Sequence, residues 1–285
     1  MYRIVRKEEL RPTVTLYEIE APLVAKKAKP GQFIILRTDE GGERIPITIN
    51  SYDPEKGTVT IIVQTAGATT EKLKAMRAGD SLQDFVGPLG RASETEGKKK
   101  VCVVGGGVGC AIAYPVLKAF HDAGAEVHAV VGFKNKDLVI LEDDFRNASD
   151  VLKICTDDGS YGEKGVVTGP LEELIKQSIA ENKPYDEIFA VGPMIMMKFV
   201  CKTTEPYGVP TTVSMSPIMV DGTGMCGCCR LNVGGEMKFA CVDGPDFDGH
   251  KVDWDLSVKR AAMYRDWELK KHEETCNLLN MKVEA

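Results

Sequence analysis

From Tyr2 to about Lys98 the hydrophobic positions fall in short runs broken by turns. Thr13–Glu20, Gln32–Thr38, Ile45–Tyr52 and Thr58–Gln64 are rich in β-branched residues, whose stiff side chains suit a pleated surface. Pro30-Gly31, Asp39 to Gly42 and Asp53-Pro54 separate them with residues that favour turns. Many short strands in so short a stretch predict a small antiparallel β-barrel. One helix interrupts the pattern. It opens at Gly67-Ala68-Thr69-Thr70, with Thr69 or Thr70 as the cap, and is expected to end near Gly79. Gly87-Pro88-Leu89-Gly90 reads as a turn before the polar linker Ser93 to Lys100.

The period changes at Lys100. Val101-Cys102-Val103-Val104 is an unbroken apolar run, as expected of a strand covered on both faces. Gly105-Gly106-Gly107-Val108-Gly109 follows, then a helix over about 111–123 with Ile112, Val116, Leu117 and Phe120 on its apolar positions. Strands are expected at Glu126–Val131, Val151–Thr156 and Glu187–Val191. Helices are expected near Asp143–Phe145 and at Leu171–Ala180 and Ile195–Thr203. That alternation predicts a parallel α/β sheet, which binds ligands at the carboxyl ends of its strands. The loops 105–109, 157–162 and 192–194 all fall at those ends. No acid ends the second strand; Gly132-Phe133 stands where a Rossmann fold carries its ribose-binding carboxylate, so a different α/β variant is expected. The tail reads as helical from about Asp255, with Met263, Tyr264 and Trp267 on one face that packs on the chain's own core or docks a partner subunit. The expected division is 1–98, 99–213 and 214–285.

A chain of 285 residues has room for two domains and a small third. The net charge of −6 and the lack of a long basic run argue against a nucleic-acid partner. The charged N-terminus, Met1-Tyr2-Arg3-Ile4-Val5-Arg6-Lys7-Glu8-Glu9-Leu10, has no apolar signal core, and no apolar run approaches a membrane span. A cytoplasmic protein without a membrane partner is expected. Cys102, Cys110, Cys155, Cys201 and Cys276 show no disulfide framework and read as small buried residues. Met194, Met196 and Met197 read as packing residues, and His121, His128 and His272 as surface or packing residues.

Candidate chemistry is densest in Val220-Asp221-Gly222-Thr223-Gly224-Met225-Cys226-Gly227-Cys228-Cys229-Arg230, followed by Cys241. The plant-type 2Fe–2S spacing is C-x4-C-x2-C and a distant fourth cysteine. Cys226 and Cys229 supply the middle pair and Cys241 the distant ligand, which puts Asp221 where the first thiolate belongs. Asp221 is read as an oxygen ligand. If it only shapes the turn, Cys228 has to serve beside Cys226, Cys229 and Cys241. A Cys3His zinc site completed by His250 is the other open reading, although zinc ribbons pair two knuckles and only one is present. In the barrel, Arg44 and Thr48 on one strand could hold a phosphate and a flavin edge, or stand as ordinary surface residues. The helix start at Gly67 is a possible pyrophosphate site, and the glycine loop 105–109 has the strand and helix neighbours that a dinucleotide loop needs.

A barrel, an α/β dinucleotide region and a C-terminal ferredoxin-type loop, in that order, resemble the ferredoxin-NADP reductase superfamily. Within it, the chain resembles the electron-transfer subunits of dihydroorotate dehydrogenase B and the related bifurcating transhydrogenases. The most specific pieces are Val220 to Arg230 and Thr156-Asp157-Asp158-Gly159-Ser160-Tyr161-Gly162. The resemblance implies an antiparallel FAD barrel, a parallel-sheet nucleotide domain and a small iron–sulfur subdomain. It implies FAD with Arg44, Pro46, Ile47 and Thr48 at the isoalloxazine side and Gly67, Thr69 and Thr70 at the pyrophosphate. It implies NAD(H) at Gly105, Gly106, Gly107, Gly109, Asp158, Gly192, Pro193 and Met194. An Asp as first cluster ligand resembles the transhydrogenase and sulfide dehydrogenase branch; the dihydroorotate relatives have Cys there, and an Arg where this chain has Ile45. The resemblance further implies a larger partner subunit with its own flavin and iron–sulfur clusters, and ferredoxin and NADP(H) reached through that partner.

Overall fold

The computed structural model describes residues 1–283, with side chains through Glu274, so Cys276 lies outside the described side chains. The first region contains β1 (Tyr2–Arg11), β2 (Val14–Glu20), α1 (Pro22–Ala25), β3 (Phe33–Arg37), β4 (Ile45–Thr48), β5 (Ser51–Asp53), β6 (Thr58–Gln64), α2 (Ala68–Ala75), β7 (Ser81–Leu82) and β8 (Asp84–Leu89). These strands build two antiparallel sheets, ordered β5-β6-β2-β1-β7 and β4-β3-β8. The sheets enclose Ile4, Tyr17, Ile19, Ile34, Leu36, Ile61 and Phe85. Strand β3 is covered twice. Ile34 and Leu36 point into the barrel, while Phe33 and Ile35 join a second core with Cys229, Cys241 and Phe247.

One strand is added to the expected set, and two local expectations are corrected. The charged N-terminus forms β1, which pairs with β2 and β7 through its backbone. Ile4 alone of that strand is buried, so the side chains carry little strand signal. Gly87 to Leu89 belongs to β8 rather than to a turn. Helix α2 is capped by Gly67 and stops at Ala75. Thr70 sits inside it, where its hydroxyl accepts from the Gly67 N–H at 2.9 Å and donates to the Gly67 carbonyl at 2.8 Å.

The rest of the chain contributes β9 (Lys100–Gly106), α3 (Gly109–Asp122), β10 (Glu126–Phe133), α4 (Glu142–Asn147), β11 (Val151–Thr156), β12 (Glu163–Lys164), α5 (Thr168–Ala180), β13 (Glu187–Val191), α6 (Met194–Thr204) and β14 (Thr211–Ser214). They are followed by β15 (Arg230–Val233), β16 (Glu236–Phe239), β17 (Asp246–Asp248), α7 (Trp254–Ala261) and α8 (Arg265–Val283). One sheet runs β12-β11-β10-β9-β13-β14-β17, parallel except for β17 at its edge. Setting aside the short β12, the five parallel strands run third, second, first, fourth, fifth in chain order. That is the doubly wound order of dinucleotide folds, so the missing acid after β10 did not mark another topology. Val101 and Val103 face α3 on one side of the sheet; Cys102 and Val104 face α5 and α6 on the other.

The tail is broken. Residues 262–264 form a turn between α7 and α8, so Met263, Tyr264 and Trp267 do not lie on one continuous helix. They are 57%, 53% and 54% exposed and do not pack on the chain's own core. Helix α8 turns back onto α2, where His272 Nε2 lies 3.2 Å from Glu71 Oε1.

Candidate functional site

The carboxyl ends of β9 and β13 open into a cavity of ≈ 760 Å³ between the barrel and the parallel sheet. Gly106, Gly107 and Gly109 form one wall, Gly192, Pro193 and Met196 the next, and Thr13, Val14 and Gln64 of the barrel the opposite side. Glycine is required there by close approach. A Cβ on Gly106 would lie 2.3 Å from Met196 Sδ, and one on Gly109 would lie 2.7 Å from Gly192 Cα. Gly107, at φ +56°, presents no side chain to this space, and its N–H is held by the Gly132 carbonyl at 2.8 Å. No side chain caps the start of α3, whose positive dipole end stands at this wall; the Cys110 and Ala111 N–H groups are already taken by the Gly107 and Val108 carbonyls, at 3.2 and 2.9 Å.

Gly105, Asp158 and Met194, also expected around the dinucleotide, do not line this cavity. Gly105 is held in the ladder between Val131 and Val191, and a Cβ on it would meet Cys110 Sγ at 2.8 Å. Asp158 turns its carboxylate onto its own loop, accepting from the Ser160 N–H at 2.9 Å and the Ser160 hydroxyl at 2.7 Å. Asp157 lines the cavity instead. Met194 points to a small pocket beside Cys228 and Arg230, while Met196 reaches the cavity.

On the barrel, Ile45 and Ile47 pack toward the core, and strand alternation puts Arg44, Pro46 and Thr48 on the outer face. Arg44 Nε donates to the Val220 carbonyl at 2.8 Å, and its Nη1 lies 3.4 Å from Asp84 Oδ2. Arg37 also pairs with Asp84, at 2.7 Å. The start of α2 stands beside the start of β4, because the buried Thr69 hydroxyl donates to Glu43 Oε2 at 2.9 Å. A Cβ on Gly67 would meet nothing within 4 Å, so this helix start is open to a ligand.

The cysteine loop is pressed onto the barrel. Gly222, at φ +78°, has no room for a Cβ, which would lie 2.7 Å from Leu89 Cδ1 and 3.0 Å from Ile35 Cγ1. Cys229 and Cys241 are buried with their Sγ atoms 3.2 Å apart, on either side of the β15–β16 hairpin. Burial pushes the Cys241 thiol up to about 12. Cys226 is exposed. Asp221 accepts from the Thr223 N–H at 3.0 Å and the Cys226 N–H at 2.8 Å. These bonds, the Thr223 one foremost, hold its carboxyl below the usual range. Asp221, Cys226 and Cys229 on the loop, with Cys241 returned to Cys229 by the β15–β16 hairpin, are the donor types of an iron–sulfur cluster. The zinc set is not assembled. His250 is engaged with Thr204 at 2.8 Å; among the described residues no three His, Cys, Asp or Glu side chains gather around a common metal position, and the cluster donors too are brought near one another without converging.

The match to known proteins follows the same division. Residues 216–253 match the iron-sulfur cluster binding domain of dihydroorotate dehydrogenase B. A relative from Thermotoga maritima, described as Dihydroorotate dehydrogenase B (NAD(+)), electron transfer subunit homolog, is 48% identical over 93% of this chain and 92% of its own. The chain belongs to the family of dihydroorotate dehydrogenase B electron-transfer subunits and their homologues. It superposes with a TM-score of 0.88 and 46% identity on a solved chain of the NADH-dependent reduced ferredoxin-NADP oxidoreductase, covering 96% of this chain and 97% of that one. That structure was reported for its bearing on flavin-based electron bifurcation. The fold alone is shared with the ferredoxin reductase in carbazole 1,9a-dioxygenase, at 19% identity and a TM-score of 0.60 over 73% of this chain and 65% of that one. The expected ferredoxin reductase-like fold is thus borne out, in a family of flavin- and iron–sulfur-dependent oxidoreductase subunits.

Proposed function

We propose that the chain is an electron-transfer subunit that carries FAD on the barrel and a 2Fe–2S cluster on the cysteine loop, exchanges electrons with NAD(H) and passes them to a larger flavoprotein subunit. The observation that carries this reading is the continuity of three regions. The dinucleotide cavity is closed by the barrel, and the outer face of β4 is joined to the cysteine loop by Arg44 and Val220. A bound flavin supplies the conversion between a two-electron donor and a one-electron carrier.

The chain's own residues do the rest. Gly106, Gly107, Gly109 and Gly192 keep the wall clear of side chains so that a dinucleotide pyrophosphate can approach the start of α3, and Thr13, Val14 and Gln64 close the site from the barrel. Gly67 and Thr69 receive the flavin pyrophosphate at the start of α2, and Thr70 holds that start in shape. Pro46 and Thr48 present the outer face of β4 to the flavin. Asp221, Cys226, Cys229 and Cys241 hold the cluster, with Cys226 on the exposed side of the loop. No acid or base is needed, since hydride transfer is governed by positioning.

The resemblance to the transhydrogenase branch makes NADH-dependent ferredoxin:NADP+ oxidoreduction the favoured overall reaction, with ferredoxin and NADP(H) served by the partner. The acid at position 221 favours this branch over dihydroorotate oxidation. The regions 1–98, 99–213 and 214–285 correspond to flavin, nucleotide and cluster domains. Met263, Tyr264 and Trp267 give the partner an exposed apolar surface. No helix among the described residues is long and apolar enough to cross a membrane. The proposed place of work is the cytoplasm, where NAD(H) and a partner flavoprotein are met. Anaerobic titration of the purified chain with NADH and with NADPH tests the reading. Bleaching of flavin and cluster absorption, faster with NADH, is expected. A colourless protein, or a coloured one that neither nucleotide bleaches, contradicts it.

A further inference from the structure

Helix α3 contains Pro115, four residues after Ala111. Proline has no N–H, so the Ala111 carbonyl loses its partner within the helix, and the proline ring pushes that carbonyl outward. The barrel supplies a replacement. Asn50 Nδ2 donates to the Ala111 carbonyl at 2.8 Å, and Asn50 is only 8% exposed. Asn50 is itself fixed, because its N–H donates to the Thr60 carbonyl at 2.9 Å and that of Ile49 to the Gln32 carbonyl at 3.0 Å.

The two ends of this bond matter more than its strength. Asn50 follows β4 by two residues, and β4 is the strand assigned to the flavin. Ala111 lies in the first turn of α3, two residues after Gly109 in the dinucleotide wall. Among the described residues no other hydrogen bond joins residues 1–90 to residues 99–213. The remaining contact there is apolar packing, such as Val14 and Ile62 against the core around Cys110 and Ala111. Apolar packing is not directional, whereas a hydrogen bond with a fixed donor sets a register.

We propose that Asn50 is a positioning residue for the NADH reaction, acting through Ala111 to set the dinucleotide wall relative to the flavin strand. This rests on the flavin and nucleotide reading given above. Asn50 does not line the dinucleotide cavity, so its loss affects the reduction rate more than nucleotide affinity. Pro115 provides the means to separate positioning from stability. In Pro115→Ala the helix regains an N–H for the Ala111 carbonyl, so a chain that lacks Asn50 no longer leaves that carbonyl unsatisfied, yet still lacks the link to the barrel.

The experiment uses the FAD- and cluster-loaded chain as wild type, Asn50→Ala, and Asn50→Ala with Pro115→Ala. It reads the thermal midpoint, the NAD+ dissociation constant and the limiting rate of flavin reduction by NADH. Asn50→Ala should lower the midpoint, slow reduction about tenfold and change the dissociation constant less than about twofold. The double variant should recover the midpoint and remain slow. Asn50→Asp, which keeps the volume but cannot donate, should match Asn50→Ala and serves if the alanine variant does not fold. A rate that recovers together with the midpoint, or a wild-type rate in both single variants, overturns the inference. If wild-type flavin is not reduced by NADH at all, the functional reading itself has failed.

Discussion

Arg44 Nε donates to the carbonyl oxygen of Val220 across 2.8 Å, joining the start of β4 to the residue just before Asp221. The same guanidinium reaches Asp84 Oδ2 at 3.4 Å. A planar fork serves two acceptors that an ammonium cannot match. Arg44→Leu should therefore loosen the cysteine loop rather than empty the barrel. The side chain is part-exposed, so the cost is about 1 kcal/mol, or roughly a fivefold faster loss of iron to a chelator, with FAD retained. Iron and flavin content measured over time check this. Loss of FAD with iron retained would assign Arg44 to the flavin instead.

Thr69 sets the second expectation. Its hydroxyl donates to Glu43 at the open start of α2. Thr69→Glu places a carboxylate against Glu43 and adds negative charge where the flavin phosphates are assigned. FAD affinity should fall by at least about tenfold, and flavin fluorescence on dilution measures it. Full flavin occupancy in the variant would place the pyrophosphate elsewhere.

Gly109 separates the two nucleotide sites. A Cβ there would lie 2.7 Å from Gly192 Cα and 2.7 Å from the Val191 carbonyl oxygen, and backbone cannot give way as a flexible side chain can. Gly109→Ala should spread the two βα turns and weaken NADH binding by about tenfold or more, while FAD and iron content stay unchanged. Equal NADH affinity in the variant would move the dinucleotide away from this wall.

Asp246 gives the stability a defined pH dependence. Burial pushes its carboxyl from the usual 3.8 up to about 6, and its Oδ1 is buried without a hydrogen-bond partner. Between those two values the folded chain holds a proton that the unfolded chain has released. This group therefore adds stability as the pH falls through about 6 and gives its full contribution below about 3.8. Asp246→Asn still accepts from the Ser93 hydroxyl and carries no charge. It should raise the thermal midpoint by about 2–4 °C at about pH 8, with the gain shrinking at about pH 5. A gain independent of pH would contradict this.

The strongly periodic segments were legible from the chain alone. The valine-rich β9, the β-branched β6 and the apolar stripe of α3 each meet one demand, and the structure places them close to expectation. Strand β1 was hidden because it is held by backbone pairing while only Ile4 among its side chains is buried. That Asp157 and Met196 line the cavity where Asp158 and Met194 do not has a different cause. Spacing locates a loop but not the direction each side chain takes within it. Asp158 closes an Asx-type turn and leaves its neighbour to face the cavity. Asn50 left no motif because its role arises from Pro115, a residue distant in sequence, and appears only once the barrel and α3 are side by side.

The central claim is that electrons from NADH reach a cluster held by Asp221, Cys226, Cys229 and Cys241. Both Asp221 oxygens accept loop N–H bonds, one of them from Cys226, so the carboxylate already stands next to a ligand position. The most direct measurement is low-temperature electron paramagnetic resonance of the purified chain after anaerobic reduction with NADH, for wild type, Asp221→Ala and Cys228→Ser. A reduced 2Fe–2S signal is expected in wild type, unchanged in Cys228→Ser and lost or altered in Asp221→Ala. No cluster signal in wild type, or a signal that survives in Asp221→Ala and vanishes in Cys228→Ser, would contradict the account.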